Sequence, residues 1–478
     1  MRLQAPCPRG AACTLDELQA RIAYDLECLA YPAAEWVPKV QDRLGRPVHA
    51  AVVVGGGQGG LATAFALRRE GVHDVLQVDR APAGLEGPWV TFARMHTLRT
   101  PKYLTGPDYG VATLTFRAWF EAQWGGEAWD ALERIPTAKW MDYLRWFREV
   151  TGAQVRNGTE MTAIRGTPDG FVEIDLVGPE GSSSCVTRRL VLANGMDGGG
   201  LWYVPPLFTR GLPRTAWAHS SERIDFGRLR GARVAVLGAG AAAFDAAAAA
   251  LDHGAAVDLY HRRPALLRIE FRPWLEQAGF LAGFGDLDDA RKWSVMRRLL
   301  GAGAPPPPSA IERVAGRTGF AVHAACGWRA VHHEGGQVRI DTDLGDRSAD
   351  FVVFATGVRY ELGLRPEFAA LAPVAACWSD RFTPLPEESN EEVGRFPYLG
   401  PGFELTERSP GAAPWLSRIH LFNYAATASL GVTGSSGTGM KLGLRRLTSA
   451  LVRALYAESA DVHIAGMPWP RGASAAPE

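Results

Sequence analysis

Val52-Val53-Val54-Gly55-Gly56-Gly57-Gln58-Gly59-Gly60-Leu61 is the stretch that decides the fold. A near-continuous apolar run from His49 to Val54 predicts a central parallel strand buried on both faces. The glycines then fit G-x-G-x-x-G at Gly55, Gly57 and Gly60. Gly55 suits a tight turn out of the strand. Gly57 lets a pyrophosphate approach the backbone, and Gly60 lets the following helix pack closely on the strand. The helix (Leu61 to Arg69) presents free N–H groups and the positive end of its dipole to the anion. A second strand, Val75 to Asp79, completes a βαβ unit. Asp79 follows Gly57 by 79 − 57 = 22 residues, near the spacing of an acid that binds a ribose hydroxyl. Arg80 adjoins it as a further candidate nucleotide contact.

The pattern returns. Val234-Ala235-Val236-Leu237-Gly238-Ala239-Gly240-Ala241-Ala242-Ala243 fits G-x-G-x-x-A at Gly238, Gly240 and Ala243, again between a strand and a helix. The next strand, Ala256 to Tyr260, ends in His261-Arg262-Arg263 rather than in an acid. A guanidinium pairs with a 2′-phosphate through charge-assisted, bidentate bonds, so Arg262 and Arg263 favour NADP(H) over NAD(H). The plainer alternative is that they solvate a strand end.

Two such units in 478 residues predict an α/β protein with two Rossmann-like dinucleotide-binding domains and β-hairpin extensions. The expected division is an N-terminal helical arm (1–46), a first nucleotide domain begun at 47–210 and resumed at 350–460, a second inserted at 211–349, and a tail (461–478). In the arm, Thr14 and Glu17 form a capping box before an amphipathic helix. Residues 151–195 read as hairpins, and 264–310, with Pro305–Pro308, as a lid or connecting segment. Residues 358–420 read as loop. Gly431 to Gly439 is a small-residue loop before a helix near 439–456, and Gly472 to Glu478 reads as a disordered tail.

The bulk numbers exclude several classes. Lys plus Arg equals Asp plus Glu at 51 each, so no basic field exists to hold a nucleic acid. The most apolar stretch, Ala241 to Ala250, is interrupted by Asp245 and is too short to span a bilayer. With no signal-peptide pattern, a cytoplasmic location is expected. No two of the six cysteines make a C-x-x-C pair, which argues against dithiol–flavin disulfide chemistry. No His/Cys group has metal-ligand spacing, so no metal is expected.

The order of parts resembles the flavin-dependent monooxygenases built on two dinucleotide-binding folds, the flavin-containing, Baeyer–Villiger and N-hydroxylating types. The resemblance covers about residues 48–456. It rests on the two glycine loops, the Gly87-Pro88-Trp89 element, Arg214 to Ser220 with His219, and Phe354-Ala355-Thr356-Gly357-Val358-Arg359-Tyr360. Thr97 to Lys102 is similar to the family's Leu-x-Thr-Asn-x-Pro-Lys stretch but lacks its asparagine, and Thr215 stands where the linker fingerprint has glycine. The segment from Glu86 to Lys102, with the later Trp-rich and Pro-rich stretches, also resembles a bacterial group of FAD proteins of the urate-hydroxylase type.

The resemblance implies FAD on the first fold and NADPH on the second. It implies that NADPH reduces FAD, that O₂ forms a C4a-(hydro)peroxyflavin, and that one oxygen atom passes to a small polar substrate. Amine N-hydroxylation and heteroaromatic or purine hydroxylation both stay open. The alternative functions are an NADPH-dependent flavin reductase or electron-transfer flavoprotein, and a flavin oxidase. Trp89 is expected near the isoalloxazine, Thr356 and Gly357 at the cofactors, and Gly437 where a helix N-terminus would face the flavin pyrimidine. Arg94, His96, Arg99 and Lys102, within nine positions, are the candidate catalytic and substrate-binding groups; they could equally hold FAD phosphates or line a solvated face. The expected partners are the small-molecule substrate and O₂, and a homodimer is an open assembly.

Overall fold

The computed structural model describes residues 14–103, 105–267, 271–434 and 436–468. Helix α1 (Leu15–Cys28) starts at the Thr14–Glu17 capping box, with both reciprocal bonds present. The first nucleotide fold begins with β1 (Ala51–Val54), α2 (Gln58–Arg69) and β2 (Val75–Val78). Helices α3 (Phe116–Ala131) and α4 (Thr137–Val150) follow, and with α1 they enclose an aromatic core of Phe116, Trp119, Trp129, Trp140, Tyr143 and Phe147. An antiparallel sheet of Glu160–Gly166, Val172–Gly178 and Gly181–Thr187 leads to β3 (Leu190–Leu192).

The chain then crosses to the second fold through β4 (Leu201–Trp202). That fold holds β5 (Trp217–His219), β6 (Arg233–Leu237), α5 (Ala241–Asp252) and β7 (Ala256–Tyr260). The 264–310 segment is helical in part, with α6 (Ala278–Gly283), α7 (Asp289–Ala302) and α8 (Pro308–Glu312) before β8 (Phe320–His323). A three-stranded hairpin sheet precedes β9 (Phe351–Phe354). The return crossing is β10 (Val358–Arg359), followed by β11 (Ile419–Leu421) and α9 (Met440–Glu458).

Two parallel sheets result, ordered β11-β3-β1-β2 and β5-β9-β6-β7-β8. The second sheet corrects the division expected at 349/350. Strand β9 lies between β5 and β6, so it belongs to the second fold, and the chain returns only after Ala355. Its apolar run is buried on both faces there, which suits an inner parallel strand. The expected tail at Gly472 to Glu478 lies outside the described residues. Among the described residues no helix is long and apolar enough to cross a membrane, and no group of His, Cys, Asp or Glu could hold a metal ion.

Two histidines are buried in these sheets. His420, on β11, donates from Nδ1 to the Gly402 carbonyl at 2.8 Å, and His219 ends β5. Burial pushes both pKa values down to about 4, from 6.5. Below pH 6.5 the unfolded chain therefore binds protons that the folded chain refuses, and stability falls as pH drops from 6.5 to 4. The loss is ~3 kcal/mol per histidine. Urea unfolding of a His420→Asn variant at a series of pH values checks this. The expected result is a flatter pH dependence over this window, whatever the substitution costs at pH 7.

Candidate active site between two nucleotide folds

Both crossings leave from the carboxyl end of a parallel strand, β3 for the first and β9 for the return. They pair with each other as an antiparallel ribbon, Val358 opposite Trp202 and Arg359 opposite Leu201. The carboxyl edges of the two sheets therefore flank one seam. In open α/β sheets that edge is where ligands bind.

On the first fold, the three glycines have separate duties. Gly55 sits at φ 121°, and a Cβ there would collide with the Ala193 carbonyl. A Cβ on Gly60 would fall inside the radius of the Gly55 carbonyl oxygen. Gly57, by contrast, caps α2 at an ordinary φ of −78°, and a Cβ there would meet no protein atom within 4 Å. The fold needs Gly55 and Gly60. The space over Gly57, at the helix N-terminus, is open, and it has room for an anion such as a pyrophosphate.

Asp79 closes this site. Its carboxylate accepts from Gly56 N at 2.6 Å and from Ala81 N at 2.7 Å. Burial raises its pKa, against those two bonds. Each oxygen keeps lone-pair capacity for a ribose hydroxyl. Arg80 points outward, with Glu160 3.9 Å away. Trp89 is half-buried against Trp140, whose Nε1 donates to Gln58 Oε1 at 3.2 Å. Sequence reasoning passed over Glu86, a buried carboxylate beside Gly56 that is held by Arg148 at 2.9 Å and by Asn157 at 2.7 Å. It also passed over Asn423, which joins the ends of β3 and β11 by donating to Leu192 O and to Asn194 Oδ1, each at 3.1 Å. Gly437 lies in the loop before α9, packed against Gly106. In the same loop the Thr438 hydroxyl is buried with no hydrogen-bond partner, a polar atom suited to a bound group.

The second fold carries a cavity of about 480 Å³, lined by Gly238, Gly240, Arg262, Arg263, Tyr203 and Thr356, among others. Gly238 sits at φ 151°, where a Cβ would lie 2.6 Å from the Ala355 carbonyl. Gly240 caps α5, and Ala243 is fully buried within its first turn. Arg262 is exposed at the cavity. Arg263 instead donates to the carbonyls of Ala302 at 2.6 Å and Gly301 at 2.7 Å, so it holds the C-terminus of α7 as one cavity wall. The ribbon reaches into the same cavity. Thr356 Oγ1 donates to the Tyr203 carbonyl, the Gly357 carbonyl accepts from Tyr203 N at 3.0 Å, and Arg359 lies 3.8 Å above the Tyr203 ring. His219, at the seam, bonds Ser221 Oγ through Nδ1 at 2.7 Å and packs on Trp202 at 5.3 Å.

The four side chains from the Arg94–Lys102 loop do not converge on one point. His96 is exposed. Lys102 donates to the Trp129 carbonyl at 2.6 Å and covers the Trp129 ring at 5.0 Å. Arg94 and Arg99 reach across the seam. Arg94 donates to the carbonyls of Ser220 and, at 2.6 Å, Glu222. Arg99 pairs with Asp245 of α5 at 2.6 Å.

A family model described as pyridine nucleotide-disulphide oxidoreductase matches residues 49–279. The FAD-dependent urate hydroxylase of Xanthomonas campestris pv. campestris is 42% identical over 445 residues, which are 93% of each chain. This chain belongs to that hydroxylase family. It is an oxidoreductase of the FAD-dependent monooxygenase kind. Its fold is that of the ornithine hydroxylase of Pseudomonas aeruginosa (TM-score 0.67, 17% identity, covering 85% of this chain and 100% of that one). L-lysine 6-monooxygenase of Pseudomonas syringae is similar too (TM-score 0.64, 20% identity, 85% and 99%). The span matched by the disulphide-oxidoreductase model takes in both glycine loops of this hydroxylase. Its described cysteines, Cys28, Cys185, Cys326 and Cys377, are unpaired, and the sequence holds no C-x-x-C.

Proposed function

We propose that this hydroxylase binds FAD on the first fold and NADPH on the second, and oxygenates urate or a closely similar oxidised purine. The observation that carries this reading is the 42% identity along 93% of both chains with a urate hydroxylase, supported by the ribbon that joins the two folds. FAD bound there would supply the redox chemistry of an oxygenation, with NADPH as the hydride source, O₂ as the oxidant and water as the second product.

The chain's own residues do the rest. Gly57 and the α2 N-terminus seat the FAD pyrophosphate, and Asp79 accepts from its ribose. Trp89 packs near the ring system, and Arg80 lies outside the ribose contact. The loop around Gly437 and Thr438 meets the flavin pyrimidine at the N-terminal end of α9, where the helix dipole favours negative charge. Gly238, Gly240 and the α5 N-terminus seat the NADPH pyrophosphate, Arg262 meets the 2′-phosphate, and Thr356 and Gly357 shape the inner end of that cavity. Arg94 and Arg99 close the seam to water. His96 and Lys102 remain the candidates for contact with an anionic substrate.

The test is turnover of the FAD-loaded protein with NADPH and urate under ¹⁸O₂, read by mass spectrometry of the product. Incorporation of one labelled atom, with NADPH oxidation accelerated by urate, is the expected result. NADPH oxidation that yields only peroxide with urate, but a labelled product with ornithine or lysine, would move the substrate from purines to amines.

A further inference from the structure

Eight of the 12 residues of helix α5 are alanine, which lets it pack closely over its sheet. Asp245 interrupts that run at its second turn and is only 6% exposed. A carboxylate that deep is costly unless it is paired and hydrogen-bonded. Here one guanidinium comes from each fold. Arg99 Nη2, on the first fold's loop, reaches Asp245 Oδ2 at 2.6 Å, and Arg313 Nη1, just after α8 of the second fold, reaches Oδ1 at 3.1 Å.

The same loop is fastened around this pair. Arg313 Nη1 also donates to the Arg94 carbonyl at 3.0 Å, and Arg134 Nη1 to the Arg99 carbonyl at 2.6 Å. Arg94 itself is half-buried against the second fold, 5.1 Å from the Phe226 ring, bonded to the carbonyls of Ser220 and Glu222. Burial lowers its pKa to about 10, so it stays charged at neutral pH. Asp245 stands four residues beyond Ala241, the first residue of α5, or about 6 Å along the helix from its N-terminus.

We propose that Asp245 is a positioning residue: by holding Arg99 and Arg313 together it fixes the 92–102 loop of the first fold against α5, and so sets the gap that a hydride crosses between the two nucleotide sites. This rests on the reading that the NADPH pyrophosphate sits at the α5 N-terminus. Asp245 touches neither cofactor in this arrangement. Its effect is on distance, and misplacement by about 1 Å at reacting atoms can cost about a hundredfold in rate.

The experiment uses the full-length FAD-loaded protein and its Asp245→Asn variant, which keeps the shape and loses the charge. Three quantities are read: NADP⁺ affinity, the anaerobic rate of flavin reduction by saturating NADPH, and hydrogen exchange by peptide. The expected outcome is NADP⁺ affinity within about threefold of wild type, since the helix N-terminus is intact. Flavin reduction is expected to slow by about 10- to 100-fold. Exchange should rise in 92–102 and 241–250, with β1 and α2 unchanged. Arg99→Lys, which keeps the charge without the planar fork, should move the same quantities by a smaller amount, and it serves if Asp245→Asn does not fold. Unchanged exchange in the loop overturns the proposal, as does a rate that falls only in step with NADP⁺ affinity. Wild-type protein that neither binds NADP⁺ nor is reduced by NADPH would instead remove the cofactor reading, while the exchange comparison would still judge Asp245.

Discussion

A Gly57→Ala protein should fold as wild type does and emerge without its flavin, while a Gly60→Ala protein should fail to fold. The two glycines are three residues apart, one capping α2 and the other in its first turn, yet their surroundings differ completely. At Gly57 the backbone has φ −78°, which alanine adopts freely, and no protein atom lies within 4 Å of the added carbon. No protein atom opposes that methyl group, although alanine caps a helix somewhat less well than glycine. What it opposes is a ligand lying against the backbone. Losing that approach should weaken FAD binding by at least about 100-fold, some 3 kcal/mol. At Gly60 the added carbon collides with the Gly55 carbonyl oxygen and sits 2.8 Å from Gln77 Nε2. The Gln77 amide in turn donates to that same carbonyl at 2.9 Å, so the crossing of strand, loop and helix has no slack. Overpacking usually costs about 1–3 kcal/mol, and a clash with buried backbone belongs at or above that range. Thermal unfolding together with the flavin content of the purified proteins separates the two effects. A Gly57→Ala protein with full flavin content would contradict the placement of the pyrophosphate.

Arg262→Ala should raise KM for NADPH by about 10- to 100-fold and leave NADH use almost unchanged, because a charge-assisted bond is worth about 1.5–3 kcal/mol. Arg262 is exposed at the cavity and available to a 2′-phosphate. Arg263 has a different duty. Its two donors are placed on the Gly301 and Ala302 carbonyls, at the C-terminus of a 14-residue helix, where a cation is favoured. Arg263→Ala should therefore loosen the cavity wall and raise KM for both dinucleotides together, with a lower Tm. Steady-state kinetics with NADPH and NADH on both variants gives the answer as a ratio. A selectivity lost at Arg263 and kept at Arg262 would reverse the assignment.

Both nucleotide folds were legible because each is written locally. A buried strand, a glycine loop and a helix follow one another within about 30 residues, and period and spacing report them. Helix α3 was not legible. Its Gly125 at φ 79° interrupts the helical backbone, and its packed tryptophans follow tertiary contacts more than periodicity. Strand β11 has three residues, too few for a period, and the sheet alone makes it a strand. The place of β9 in the second sheet depends on long-range pairing with β5 and β6, which no local pattern encodes.

The same limit governs the charged loop. Arg94 and Arg99 were visible as cations near a flavin-like motif, but the Asp245 partner of Arg99 lies 146 residues away. The available signal was an acid interrupting an alanine run. Glu86 could have been suspected as an acid beside the Gly87-Pro88-Trp89 element, whereas its partners Arg148 and Asn157 come from a later helix and turn.

The most direct test of the two-cofactor account is the flavin absorbance of the purified FAD-loaded protein, followed without oxygen as NADPH is added. The account predicts that NADPH bleaches the flavin band, that NADH does so less effectively, and that admitting air with urate restores the band as product forms. A flavin band that NADPH leaves intact, with urate present or absent, would contradict the assignment of the second fold as the site of the reductant.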